Sequence, residues 1–229
     1  MSSQVVYDTL YRMRKTVFAK QEFYHIYNRG VDKRSIFTNS DDLFRFLKSM
    51  NDFNVQDPIG SVYENSFRLG SRAPKSGKLV NFIAYGLNQN HYHFILEPLV
   101  DNGIQKFMHK LSTGYTNYFN EKYKRSGSFF QGKYKAIHIN SNEYLLHLSV
   151  YINLNFKIHK KLNKKWMEKL PISSFREYIE KTARPFCKKE IILEQFNNPK
   201  EYKSFCESTL PDILKRKEVE KELKNMLIE

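Results

Sequence analysis

The stretch LVNFIAYGLNQNHYHFILEPL, residues 79–99, constrains the fold of this chain more than any other. Two apolar runs flank the polar break Asn88-Gln89-Asn90. Such runs around a tight break predict two antiparallel strands, near 80–87 and 91–97. Residues two apart in a strand share a face, so His91 and His93 project together, with Tyr92, Phe94 and Leu96 opposite. Two polar rings in an apolar strand need a reason, because burying an unpartnered polar group costs free energy. Converging neutral imidazoles can hold a cation. A chance His-X-His pair on a solvated strand is the plainer reading.

The flanking segments complete a pattern. EFYHIYNRG, residues 22–30, alternates Phe23, His25 and Tyr27 with Tyr24 and Ile26, which suits a strand ended by Gly30. NSDDLFRFLKSMNDF reads as a helix capped by Asn39 or Ser40, with its acidic pair in the first turn. Residues 54–78 carry Pro58, Gly60, Gly70, Pro74 and Gly77, hence a long loop or hairpin excursion, and also Arg68, Arg72, Lys75 and Lys78. Ile104, Phe107, Met108, Leu111, Tyr115, Tyr118 and Phe119 give the three- and four-residue spacing of a helix over 101–123. Residues 128–139 return to strand character. A last helix starts at Ser141, with Asn140 and Glu143 as a capping box.

The order βαββαβ predicts an α+β fold, a ferredoxin-like antiparallel sheet with helices on one face and the added helix beside the other. We expect an N-terminal extension over 1–20, a core domain over 21–160 and a helical C-terminal extension over 161–229. That extension ends in DILKRKEVEKELKNMLIE, an amphipathic helix with Glu218–Lys221 and Glu220–Lys224 pairs.

The 229 residues include 38 Lys and Arg against 24 Asp and Glu, a net charge of +14. That excess favours an anionic partner. No apolar stretch is long enough to span a bilayer, so no membrane partner is expected. The N-terminus lacks the apolar core of a secretory signal. Cys187 and Cys206 have no metal-ligand spacing and suit a reducing cytoplasm. Three clusters can contact nucleic acid: Arg29, Lys33 and Arg34; Lys122, Lys124, Arg125, Lys133, Tyr134 and Lys135, interleaved with aromatics; and Lys157, Lys160 and Lys161. An ordinary solvated basic face is the alternative for each.

In HLSVYINLN, residues 147–155, His147, Tyr151 and Asn155 are spaced four apart and form one helical stripe. Leu146, Val150 and Leu154 form an apolar stripe beside it. On its own, a tyrosine packed among core leucines is the better reading of this segment. Taken with the histidine strand, it suggests chemistry. A divalent metal on His91, His93 and a helix side chain can polarise a phosphodiester. Tyr151 can attack phosphorus to form a covalent intermediate, Asn155 can complete the metal shell, and His147 is a candidate base.

Five blocks in this order, YHIYNRGVDKRSIF, AYGLNQNHYHFIL, GSFFQGKYKA, YLLHLSVYINLN and PISSFREYI, resemble the single-tyrosine HUH transposases, and among them the REP-associated, IS200-like branch. The resemblance covers about residues 20 to 180. It implies a catalytic domain that acts on single-stranded DNA, often beside a hairpin, with Mg²⁺ or Mn²⁺. His91 and His93 fall on the HUH ligands, Tyr151 on the nucleophile and Asn155 on the third ligand. A 5′-phosphotyrosine link and a free 3′-OH are the implied intermediate. The branch usually reads Met-Pro-Asn before the first histidine and Asn-Pro after the tyrosine turn. Here Asn88-Gln89-Asn90 and Asn155-Phe156 stand instead, so no proline stops the helix. A homodimer that shares Tyr151 between subunits and a monomer that uses its own are both open. The alternative function is a non-catalytic binder of hairpin DNA or RNA.

Overall fold

The computed structural model describes residues 16–58, 77–159, 164–181 and 185–226. Most of the basic loop (Arg68, Arg72, Lys75), with Lys160 and Lys161, lies outside the described residues, as do the side chains of both terminal pairs from residue 220 on.

Strands β1 (Phe23–Arg29), β2 (Val80–Asn88), β3 (His91–Pro98) and β4 (Lys135–Ile139) form one antiparallel sheet in the order β2-β3-β1-β4. This is the ferredoxin-like order. Helices α1 (Ser40–Asp52) and α2 (Gly103–Lys122) cover one face. Leu43, Phe46 and Met50 of α1 and Ile104, Phe107, Leu111 and Tyr115 of α2 pack there on Tyr24, Ile26, Tyr92, Phe94 and Leu96. The opposite face carries α3 (Asn142–Asn153), its short continuation α4 (Asn155–Ile158), and, after α5 (Phe175–Ile179) and α6 (Glu190–Leu193), the long α7 (Pro199–Met226). There Leu145, Leu148, Val150 and Ile152 meet Ile83, Ala84, Ile95, Tyr178, Tyr202 and Cys206.

Local chemistry explains the element ends. Asn39 caps α1 by accepting the Asp42 N–H at 3.1 Å. Ser141 caps α3 by accepting the Tyr144 N–H at 3.1 Å, so the cap sits one residue beyond the expected Asn140. The last strand is shorter than the expected 128–139. Phe129 and Phe130 are buried in the core instead, and Phe130 makes an isolated bridge to Gly30. Without proline the tyrosine helix does continue, but it breaks at Leu154 (φ −101°, ψ 12°) before α4. Asn198 caps α7 by accepting the N–H groups of Lys200 and Glu201 at 3.0 and 3.1 Å.

Two features of β2 position the site. A bulge at Ile83 shifts its register between Phe82, opposite Leu96, and Ala84, opposite Ile95. Ile83 and Ala84 then both face α3, Tyr85 and Leu87 face the other core, and Gly86 and Asn88 come round to the α3 side. The outer edge of β2 is covered by residues 172–174 and Lys188. Leu87 N–H donates to Ile172 at 2.7 Å, Ser174 N–H to Tyr85 at 3.0 Å, and Lys188 N–H to Phe82 at 2.8 Å. The C-terminal segment thereby protects a strand edge.

Candidate active site

The register brings the site together across the sheet. His93 pairs with Tyr27 on one side and Gly86 on the other, and His91 pairs with Arg29 and Asn88. At Gly86 an added Cβ would lie 2.5 Å from the Ile152 carbonyl oxygen and 3.4 Å from the Asn155 Cβ. The missing side chain thus lets the α3–α4 junction sit directly on the sheet.

Tyr151 of α3 then stands edge-on to His93, with ring centroids 5.4 Å apart. The His91 ring lies 5.2 Å from that of His93 and 4.8 Å from that of His159. Asn155 is fully buried, and its Oδ1 lies 3.3 Å from His91 Nε2. The two ends of His91 are not equivalent. Its Nδ1 faces the Asn90 Oδ1 at 2.6 Å, so Nδ1 carries the proton and donates. Burial, with His159 nearby, pushes His91 down to about 3, which keeps the ring neutral. Nε2 is therefore a bare acceptor facing a second acceptor, Asn155 Oδ1. The Asn88 amide donates to both, to Nε2 at 3.1 Å.

His93 is fixed from behind. Its Nδ1 meets His25 Nε2 at 2.8 Å, and the rings of His25, Tyr27 and His93 stack. Burial, reinforced by His25 and His91, holds His93 well below the ordinary imidazole range. Burial likewise pushes His25 down to about 4.

A cleft of about 390 Å³ opens over these groups. Arg29, Lys33 and Lys135 line it with Tyr27, Tyr151 and His159, and no Asp or Glu among the described residues does. Such a cleft attracts a phosphate group.

The structure thus gathers His91, His93, Tyr151 and Asn155, and brings Arg29, Lys33 and Lys135 to the same cleft. Other expected residues go elsewhere. His147 is exposed and off the cleft, its ring 5.9 Å from Phe205. The break at Leu154 takes Asn155 inward, so the expected three-member stripe does not share one surface. Lys122 is engaged with the buried Asp42 at 2.8 Å and with the Tyr118 hydroxyl at 3.0 Å. Arg34 donates to the Val31 carbonyl at 3.0 Å and pairs with Asp32. Arg125 packs over the Phe119 ring. Lys133 and Tyr134 line a separate groove of about 1,080 Å³ beside α2. Lys124 and Lys157 are exposed.

Sequence reasoning passed over Asn88, read only as a turn residue, and left His25 and His159 unassigned. His25 carried a weak signal, because it shares strand parity with Tyr27. Lys217 of α7 had none. Its Nζ lies 2.9 Å from His159 Nε2 and 5.1 Å from the Tyr151 ring centroid.

Among the described residues no three His, Cys, Asp or Glu side chains group as a metal-holding set. The donors that converge are two imidazoles and an amide oxygen. They fit a divalent cation on one observation: two acceptors, His91 Nε2 and Asn155 Oδ1, lie 3.3 Å apart and share the Asn88 amide as their donor.

A ferredoxin-like sheet with a His-hydrophobic-His strand facing a tyrosine helix is the arrangement that the resemblance to the HUH single-tyrosine transposases implies. Residues 72–155 match the family model described as "Transposase IS200 like". The match ends at Asn155, so it takes in the histidine strand and the tyrosine helix. No curated protein matches the chain. Among solved structures, one described as a REP-associated tyrosine transposase bound to a REP hairpin is similar. It has 12% identity and a TM-score of 0.49, and the match covers 76% of this chain and 88% of that one. No helix among the described residues is long and apolar enough to cross a membrane.

Proposed function

We propose that the protein nicks single-stranded DNA and transfers the strand through a covalent 5′-phosphotyrosine on Tyr151. The supporting observation is the edge-on approach of Tyr151 to His93, 5.4 Å between centroids, in a cleft that His91 also lines, with the buried Asn155 Oδ1 3.3 Å from His91 Nε2. His91, His93 and Asn155 would hold a divalent cation, Mg²⁺ or Mn²⁺. When bound, that ion supplies positive charge against the anionic phosphodiester.

This chain's residues do the rest. Arg29, Lys33 and Lys135 draw the DNA backbone into the cleft. Asn90 and His25 fix the two ligand imidazoles through their rear nitrogens, and Asn88 orients the Asn155 oxygen. The Tyr151 oxygen forms a bond to phosphorus, and the bond from phosphorus to the 3′ oxygen breaks. The phenol proton is lost to solvent, and the departing 3′ oxygen takes one up as a free 3′-OH. Phosphotyrosine conserves the diester, so a 3′-OH from another strand reverses the step and joins new ends. The place of Tyr151 beside His93 of its own chain supports action in cis.

The test is incubation with Mn²⁺ and a labelled pool of single-stranded oligonucleotides carrying a hairpin beside randomised positions. A denaturation-resistant protein–DNA adduct is expected. Tyr151→Phe should abolish it and leave DNA affinity within about twofold, since one hydroxyl is lost. Binding without an adduct at any metal concentration would instead establish a non-catalytic DNA-binding protein.

A further inference from the structure

Among the described residues, Lys217 of the C-terminal helix reaches the site. Lys217 lies in the half of α7 beyond Pro211, and its half-buried ammonium comes to 5.1 Å from the Tyr151 ring centroid. An ammonium at this distance from an aromatic centroid is attracted by the ring quadrupole. The same Nζ donates to His159 Nε2 at 2.9 Å, and the His159 ring in turn lies edge-on to His91, 4.8 Å between centroids. A lysine has several N–H donors, and His159 takes one. The chain Lys217–His159–His91 and the contact Lys217–Tyr151 therefore meet at one charge.

The placement of this charge is costly without a return. A lysine on a long terminal helix ordinarily extends into water, where its ammonium is best solvated. Here it is held over a phenol and against a neutral imidazole, with Arg29, Lys33 and Lys135 already lining the cleft. A further cation at such a place repels its neighbours until an anion arrives. Helix α7 has the means to hold it there. Tyr202 is fully buried, and its hydroxyl accepts from the Asn153 amide at 2.8 Å and lies 3.1 Å from Ser149 Oγ, both on the tyrosine helix.

We propose that Lys217 is a positioning residue for Tyr151, contributed by the C-terminal helix, which holds the phenol ring toward the cleft and offsets the negative charge that develops beside it during strand cleavage. The role rests on the phosphotyrosine reading above. In that step the Tyr151 oxygen bonds to phosphorus as the 3′ oxygen leaves, one proton is lost from the phenol and one is gained by the 3′ oxygen. Lys217 keeps its own protons throughout and acts by charge. The C-terminal helix is then part of the catalytic apparatus as well as a cover for the sheet.

The experiment is a single-turnover measurement of adduct formation with the full-length protein, Mn²⁺ and the same labelled pool. It compares wild type, Lys217→Met, Lys217→Gln and Lys217→Arg, each with DNA affinity and melting temperature. The adduct rate of Lys217→Met is expected to fall about tenfold to a hundredfold, the range for loss of one charge-stabilising group. Affinity should stay within about twofold and the melting temperature should not change. Lys217→Gln, which keeps an N–H donor but no charge, should match Met, and it supplies the readout if Met unfolds the helix. Arg, which keeps the cation over the ring, should recover most of the rate. Three outcomes overturn the proposal: a folded uncharged variant, Met or Gln, at the wild-type rate, affinity lost by the same factor as rate, or Arg no better than Met. An absent adduct in the wild type overturns the phosphotyrosine reading and this role with it. An active wild type with indifferent Lys217 variants overturns this role alone.

Discussion

At the residue scale, the site and the core use charge in opposite ways. The imidazoles are buried neutral, whereas Asp42 is buried charged and fully partnered. It accepts from the Thr38 N–H at 2.9 Å, the Tyr118 and Tyr123 hydroxyls at 3.0 and 2.8 Å, and Lys122 at 2.8 Å. Burial alone would raise its carboxyl, but the bonds from Lys122, Thr38 and Tyr123 outweigh that and hold it below the usual carboxylate range. A carboxylate lowered on folding contributes stability that is fully present above its unfolded pKa, about 4, and lost as pH falls through the lower folded value. Asp42→Asn should cost about 3 kcal/mol near neutral pH, because it strands its donors. Urea unfolding at pH 7 and pH 3 checks both points: the gap between wild type and variant should narrow at the lower pH. This network also gives Lys122 a partner that its local sequence does not reveal. A lysine in a basic, aromatic stretch looks like a DNA contact until its buried partner, about 80 residues away, is known.

Among elements, the decisive contact is between β2 and the α3–α4 junction. The bulge at Ile83 turns Gly86 and Asn88 toward the site, and the absence of a Cβ at Gly86 admits the Ile152 carbonyl. Gly86→Ala should push the junction outward, because the backbone oxygen 2.5 Å away cannot yield without moving α3. The expected costs are about 1–3 kcal/mol of stability from overpacking. A displacement near an ångström at Tyr151 and Asn155 should slow adduct formation about a hundredfold. Thermal melting and single-turnover adduct kinetics on one preparation separate the two effects. A variant that loses stability but keeps its rate would show that the junction does not set the geometry. Most elements were legible beforehand, since α1, α2 and the hairpin announce themselves by periodicity and caps. The bulge was not, because FIAYGL alternates acceptably in either phase.

For the whole molecule, the net charge of +14 predicts an anionic partner, but folding decides which cations share a surface. Of the basic residues singled out by sequence, Arg29, Lys33 and Lys135 line the cleft. If these three carry the phosphate contacts, log affinity for single-stranded DNA against log salt should have a slope of about −2, roughly 0.7 per contact. Fluorescence anisotropy between 50 and 200 mM salt, a range suited to this effect, measures it. Lys135→Met should make the slope shallower by about 0.7, and Lys122→Met should leave it unchanged. A much steeper slope would mean that the DNA path extends well beyond the cleft. At this scale the C-terminal segment is no appendage. It seals the edge of β2 through Ile172, Ser174 and Lys188 and buries Tyr178, Tyr202 and Cys206 against the tyrosine helix.

The amino-acid sequence by itself determined the sheet order, the hairpin, and the paired orientation of His91 and His93. Each follows from local periodicity, turn chemistry or motif order within short windows, where side-chain spacing alone dictates what shares a face. Only the tertiary structure decided that Asn155 turns inward at Leu154, that Asn88 and His25 brace the imidazoles, that His147 stays outside, and that Lys217 arrives from a helix far along the chain. Those outcomes depend on register, a bulge and close helix–sheet approach. These are set by packing between segments distant in sequence, and no local pattern records them.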